Sequence, residues 1–203
     1  RAHVGGLGDV DPALARGLDP AAVAAASAVL AASAANALND VLDREADAVN
    51  RPERPIPAGT VTPGSAGRLA AWLSAAAVVL AVPLGGPALA LVASWVGLTA
   101  LYSARARAVP FVGNVIVAAV AASPLVLGGL SQGSARATLV PTVLAFLVHL
   151  AREAVKGAED VEGDARAGFR TLAVAAGPGA AIAAGRGVIV VAMVAAPVPY
   201  FAG

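Results

Sequence analysis

The sequence predicts an all-α fold, a multi-pass transmembrane helical bundle, on three observations. Of 203 residues, 58% are hydrophobic and 13% charged, with mean hydropathy +0.76, whereas a soluble domain holds about 45–50% apolar and about 25% charged residues. The apolar residues are gathered into six stretches separated by polar links. Aromatics make up only 4% while Gly numbers 22, so the apolar bulk is Ala, Val and Leu, small side chains that let membrane helices approach closely. The same composition excludes a disordered chain. Zero cysteines exclude a disulfide framework and any thiolate site. A net charge of +1 lacks the basic excess that phosphate backbones require, so no nucleic-acid partner is expected.

The stretches fall at about 20–38, 69–84, 87–103, 111–130, 137–151 and 187–201. Several are shorter than the roughly 20 residues of a spanning helix, but each extends into a polar flank, and six crossings are expected. Pro83 and Pro87 punctuate a tight link between the second and third. Pro124 and Pro141 lie inside helical patterns, where neighbouring groups can satisfy the freed carbonyl. Residues 1–19 are too polar to span, and the chain opens on Arg1 without a signal pattern. It reads as a single domain over 1–203, truncated at both ends.

Six crossings put the links 39–68, 104–110 and 152–186 on one face of the membrane. Eleven of the fourteen Lys and Arg lie there, which makes that face cytoplasmic by the positive-inside rule. Ten of the thirteen acids occupy two windows on the same face. The first holds Asp40, Asp43, Glu45, Asp47 and Glu53, the second Glu153, Glu159, Asp160, Glu162 and Asp164. Windows about 110 residues apart are thereby expected to converge.

If the first helix continues past the membrane surface, Asn39, Asp43 and Asp47 share one face at i, i+4 and i+8. Stacked carboxylates repel unless a cation neutralises them, and an all-oxygen donor set suits Mg²⁺. Arg51-Pro52-Glu53-Arg54-Pro55-Ile56-Pro57 follows as a stiffened turn that places two guanidinium groups near these acids. In the second window Asp160 and Asp164 repeat the i, i+4 spacing, with Arg152 and Lys156 on the same stripe. Acids for a metal mixed with bases for an anion suggest a Mg²⁺-diphosphate site. Glu45, Glu53, Glu153, Glu159 and Glu162 are read as solvated or ion-paired, His149 as a packed or hydrogen-bonded histidine, and the two tryptophans and Tyr200 as packing or interfacial-belt residues.

Asn39-Asp40-x-x-Asp43-x-x-x-Asp47 with Asn50-Arg51-Pro52-x-Arg54-Pro55-Ile56-Pro57-x-Gly59, and downstream Asp160-x-x-x-Asp164 with Gly168-x-Arg170-Thr171-Leu172, resemble the UbiA superfamily of intramembrane aromatic and lipid prenyltransferases. Leu101-Tyr102-Ser103, Arg105, Arg107 and Gly113-Asn114 resemble the family's third and fourth helices and their connection. The resemblance runs from about residue 20 to the end. It implies a helical bundle, of which about six of the usual nine helices are present, with a cavity open to lipid where Mg²⁺ binds a prenyl diphosphate. Carried over by position, Asn39, Asp43, Asp47, Asp160 and Asp164 are implied metal ligands, the four aspartates being catalytic. Arg51, Arg54, Lys156, Tyr102, Arg105 and Arg107 are implied diphosphate contacts. The second motif is closest to the geranylgeranylglycerol-phosphate type, departing from it at Gly157, where aspartate is common, and at His149, where asparagine is. This implies Mg²⁺-dependent transfer of a prenyl group to a lipid-phosphate acceptor. The alternatives are an aromatic acceptor and a truncated, non-catalytic membrane protein that binds a prenyl lipid. A transporter is disfavoured because the acids gather at one face and not at the bilayer midplane.

Overall fold

The computed structural model describes residues 18–104 and 111–197, the side chains of 101–104 excepted. Within them the chain is helical, with no strand among the described residues. In order come α1 (Pro20–Leu42), α2 (Arg44–Asn50), α3 (Pro63–Ala81), α4 (Gly86–Ala104), α5 (Val112–Ala122), α6 (Pro124–Ser131), α7 (Leu139–Glu159), α8 (Val161–Arg166), α9 (Leu172–Ala176) and α10 (Pro178–Ala195). Five spans are long and apolar enough to cross a bilayer: Pro20–Leu42, Pro63–Leu84, Val112–Ser131, Ala135–Glu159 and Pro178–Ala195. α4 supplies a sixth, shorter apolar segment at Gly86–Ala100. The six expected stretches thus correspond to helical segments, and the last begins earlier than expected, at Pro178. Together they make an integral membrane protein.

The helix starts follow local chemistry. Asp19 accepts from the Ala21 N–H and Thr62 from the Ser65 N–H, and each precedes a proline that opens its helix, α1 or α3. Pro124 breaks the fourth span into α5 and α6. Its missing N–H leaves the Val120 carbonyl without the usual partner, and the Ser123 hydroxyl donates to that carbonyl at 2.8 Å.

Packing depends on small residues. α1 lies along α3, and α7 lies along α10 and α5. Between α1 and α3 the buried Ser27 hydroxyl donates to the Ala77 carbonyl at 2.8 Å, an approach possible because Ala24, Ala31, Ala77 and Ala81 present only methyl groups. On α10, a Cβ at Gly185 would stand 3.0 Å from the Ala151 carbonyl of α7. Many large apolar side chains point outward, Trp72 at 75% exposure and Met193 at 69%, the arrangement a lipid solvent favours.

The α1–α3 contact leaves no room at Ala77, which is fully buried. Ala77→Leu is expected to destabilise the protein by roughly 1–3 kcal/mol through overpacking, while Val79→Leu on the lipid face stays within about 0.5 kcal/mol. Thermal unfolding in detergent micelles checks both.

Candidate active site

The two acidic windows meet. α1 does not run straight through the first: it ends at Leu42, Asp43 leaves helical geometry, and α2 begins at Arg44. The backbone bonding nevertheless continues, with Asn39 O accepting from Asp43 N, Asp43 O from Asp47 N, and Asp47 O from Arg51 N, each at 2.7 Å. The i, i+4 stacking read from the sequence therefore survives the kink. The second window behaves likewise, with α7 ending at Glu159, α8 starting at Val161, and Asp164 N donating to Asp160 O at 3.0 Å.

α2 packs on α8, and Asn50 ties the two together. Its amide donates to the Asp160 carbonyl and accepts from the Gly163 N–H, both at 2.9 Å. A Cβ on Gly163 would collide with the Asn50 amide and stand 2.5 Å from the Ala46 carbonyl, so only glycine permits this approach. The adjacent Arg51 reaches the same turn, donating to Asp160 Oδ1 at 2.8 Å, while Lys156 Nζ lies 3.8 Å from Oδ2. Arg54 bridges Asp47 at 2.8 Å and Asp40 at 3.1 Å. Asp47 is 5% exposed, and a carboxylate that deep requires a paired charge. The proline-rich turn holds Arg54 there, with the Arg54 carbonyl accepting from the Ala58 N–H and the Pro55 carbonyl from the Thr60 and Val61 N–H groups.

Between the windows lies a polar pocket of about 70 Å³, lined by Asp43, Asp47, Asp160, Asp164 and Lys156, and also by Asn50, Asn114, Arg170 and Thr171. Burial first, then the charges of Asp160 and Asp43, push the Asp164 carboxyl from its ordinary 3.8 up to about 6, against Lys156 and a hydrogen bond from Thr171. Burial works to lower the Arg54 pKa, but the hydrogen bond and charge of Asp47, with Asp40 and Asp43, raise it.

Next to the polar pocket, on the bilayer side, is an apolar cavity of about 530 Å³ walled by α1, α3, α4, α5 and the first residue of α6. Asn39 lines this cavity and not the polar pocket, and its Oδ1 is buried without a hydrogen-bond partner. Arg51 and Arg54 grip the carboxylates without lining the pocket. Glu45 pairs with Arg44, Glu153 with Arg152 and Glu162 with Arg166, in keeping with their ion-paired reading, although Glu153 also lines the pocket. His149 lines neither cavity. Arg105, Arg107 and the Tyr102 side chain lie outside the described residues. Asn50, Asn114, Arg170 and Thr171 were present in the family-like motifs but not singled out as site residues. For Asn114 the available signal was a lone polar side chain in an apolar helix.

Among the described residues no three carboxylate or histidine side chains form a ready-made metal cage. The donor set still fits Mg²⁺, which retains water and shares phosphate oxygens. The four carboxylates offer only oxygen, they come from both sides of one small pocket, and the raised Asp164 pKa marks a place where a cation would relieve an electrostatic cost.

Fold and site thus define a polytopic helical membrane protein with paired acidic motifs at one membrane face. The sequence profile of the UbiA prenyltransferase family matches residues 11–203, and the chain belongs to that family. It is 40% identical to the digeranylgeranylglyceryl phosphate synthase of Natronomonas pharaonis over 90% of this chain and 66% of that one. The Methanopyrus kandleri protein of the same name is also 40% identical, over 90% of this chain and 68% of that one. The chain therefore spans about two thirds of the length of these relatives. A solved UbiA homolog from Archaeoglobus fulgidus, bound to DMAPP and Mg²⁺, shares the fold with TM-score 0.67 at 18% identity, covering 88% of this chain and 65% of that one.

Two predictions follow from the site geometry. Gly163→Ala is expected to break the Asn50 clasp and lower the melting temperature, since the buried amide loses both partners at a cost of about 1–3 kcal/mol. Because Asp164 is raised in the folded state, the stability it contributes is fully present below about pH 3.8 and lost as pH rises through about 6. In chelator the melting temperature is expected to decline over that window, and Asp164→Asn to flatten the decline.

Proposed function

We propose that the protein is a Mg²⁺-dependent prenyltransferase that moves a prenyl group from a prenyl diphosphate to a lipid-phosphate acceptor, acting as one domain with its acidic motifs on the cytoplasmic face. The observation that carries this is the placement of the two cavities: a polar pocket edged by four aspartates and an apolar one large enough for a hydrocarbon tail are lined by neighbouring turns, Asp43 and Asn39 in the first acidic motif and Asn114 and Ile116 on α5. A charged head joined to an apolar chain is the ligand such an arrangement suits. Family membership and the relatives' names support the same reading and favour the lipid acceptor over an aromatic one.

Asp43, Asp47, Asp160 and Asp164, with Asn39 at the edge of the apolar cavity, would hold the metal. Bound Mg²⁺ supplies positive charge against the negative charge that builds on a departing diphosphate. Arg51, Arg54 and Lys156, fixed by their carboxylate partners, would bind the diphosphate oxygens, and Tyr102, Arg105 and Arg107 belong to the same proposed contact set. The Ala-rich apolar walls exclude water from the allylic cation that forms as the C–O bond to diphosphate breaks. The acceptor hydroxyl oxygen then bonds that carbon and releases its proton.

The test is diphosphate release by the purified protein from geranylgeranyl diphosphate, with and without Mg²⁺, against glycerol-phosphate lipid and aromatic acceptors. Release dependent on both Mg²⁺ and the lipid acceptor is expected. Release only with an aromatic acceptor overturns the acceptor assignment, and binding without release overturns the enzyme reading. Asp43→Asn and Asp160→Asn are each expected to abolish turnover, exceeding the roughly 10- to 100-fold loss typical of contacts one step removed from a metal.

A further inference from the structure

The apolar cavity has a floor, and its position is legible on each helix that walls it. On α1 the lining residues run from Ala28 to Asn39, while Ala24 belongs to the packed core. On α3 the lining runs from Gly67 to Ser74, with Ala77 and Ala81 in the core. On α4 it runs from Trp95 to Ala100, with Ala88 and Val92 in the core. Across the α5–α6 kink it runs from Ile116 to Pro124, with Leu127 in the core. On α3, α4 and the α5–α6 segment the lining lies toward the acidic face and the core away from it, and on α1 the two overlap at Ala31. The cavity therefore occupies one half of the bundle and the core fills the other.

Trp95 and Ala31 belong to both sets, and Trp95 is by far the larger. It is 4% exposed, and its indole N–H has no hydrogen-bond partner. A buried tryptophan ordinarily finds such a partner, so this one contributes the size and shape of its ring at a polar cost. From Asn39, next to the acidic pocket, to Ala28 at the depth of the floor is eleven residues of α1, about 16 Å of helix. We propose that Trp95 is a specificity-determining residue, the floor that limits the length of prenyl chain the cavity accepts. This rests on the prenyltransferase reading above.

Two measurements test it. The chain has two tryptophans, and Trp72 faces outward, so Trp72→Phe leaves Trp95 as the sole tryptophan. Its fluorescence is expected to respond to geranylgeranyl diphosphate and little to dimethylallyl diphosphate, whose tail is too short to reach it. Equal responses to both, or none to either while diphosphate release proceeds, overturn the proposal, because the tail then leaves the cavity by another route. The second is the ratio of kcat/KM for geranylfarnesyl over geranylgeranyl diphosphate. Trp95→Leu is expected to raise it on the order of tenfold, and Ala28→Leu, which fills the cavity at the same depth, to lower it. Trp95→Phe keeps a ring and removes only the unpaired donor, so it is expected to leave the ratio near its original value. An unchanged ratio in folded, active Trp95→Leu overturns the proposal. Absence of release by the unsubstituted protein with any prenyl diphosphate fails the prenyltransferase reading instead.

Discussion

Like charges gathered at one membrane face repel unless each is countered, and in this protein four aspartates line a single small pocket. The countering groups come mainly from the segment that follows the first acidic motif. Arg54 folds back on Asp47 and Asp40, and Arg51 reaches across to Asp160. These pairs do more than neutralise. The Arg51–Asp160 pair, reinforced by the Asn50 clasp on the same turn, joins two parts of the chain more than 100 residues apart and sets the α2–α8 contact. The cost that remains shows at Asp164, whose carboxyl is pushed up first by burial and then by the charges of Asp160 and Asp43.

The membrane half of the structure answers a different constraint. Lipid offers little hydrophobic drive for helices to associate, so contact depends on close van der Waals approach and occasional hydrogen bonds. Alanine and glycine at the interfaces permit that approach, as between Ser27 and Ala77. The same residues leave space where helices diverge. An interface of methyl groups packs tightly on the half of the bundle away from the acidic face and opens into a cavity on the other half. On the proposed reading, the small-residue composition thus serves both the packing and the room for a prenyl tail.

A hydrocarbon cavity beside a charged pocket also bears on catalysis. The two compartments have opposite polarity, so an amphiphilic substrate can be oriented by solvation alone before any specific contact forms. Asn39 stands at their boundary, lining the apolar side with an unpartnered oxygen one helical turn from Asp43.

The amino-acid sequence by itself determined the helical membrane architecture, because transfer free energy is a local property that apolar stretches state directly. It also determined that both acidic windows share a face, since alternation of crossings follows from counting them, and the paired motifs carried the family resemblance. Tertiary structure decided the rest. The break at Asp43, the choice of Asp160 as the partner of Arg51, the bridging role of Asn50 and the place of Trp95 between core and cavity all depend on which side chains meet across distant segments. Spacing along one helix says which residues share a face, but not what that face meets. That is why the place of Asn39 at the edge of the apolar cavity, and the place of Trp95, read from the sequence as a packing or interfacial-belt residue, between that cavity and the core, appear only in three dimensions.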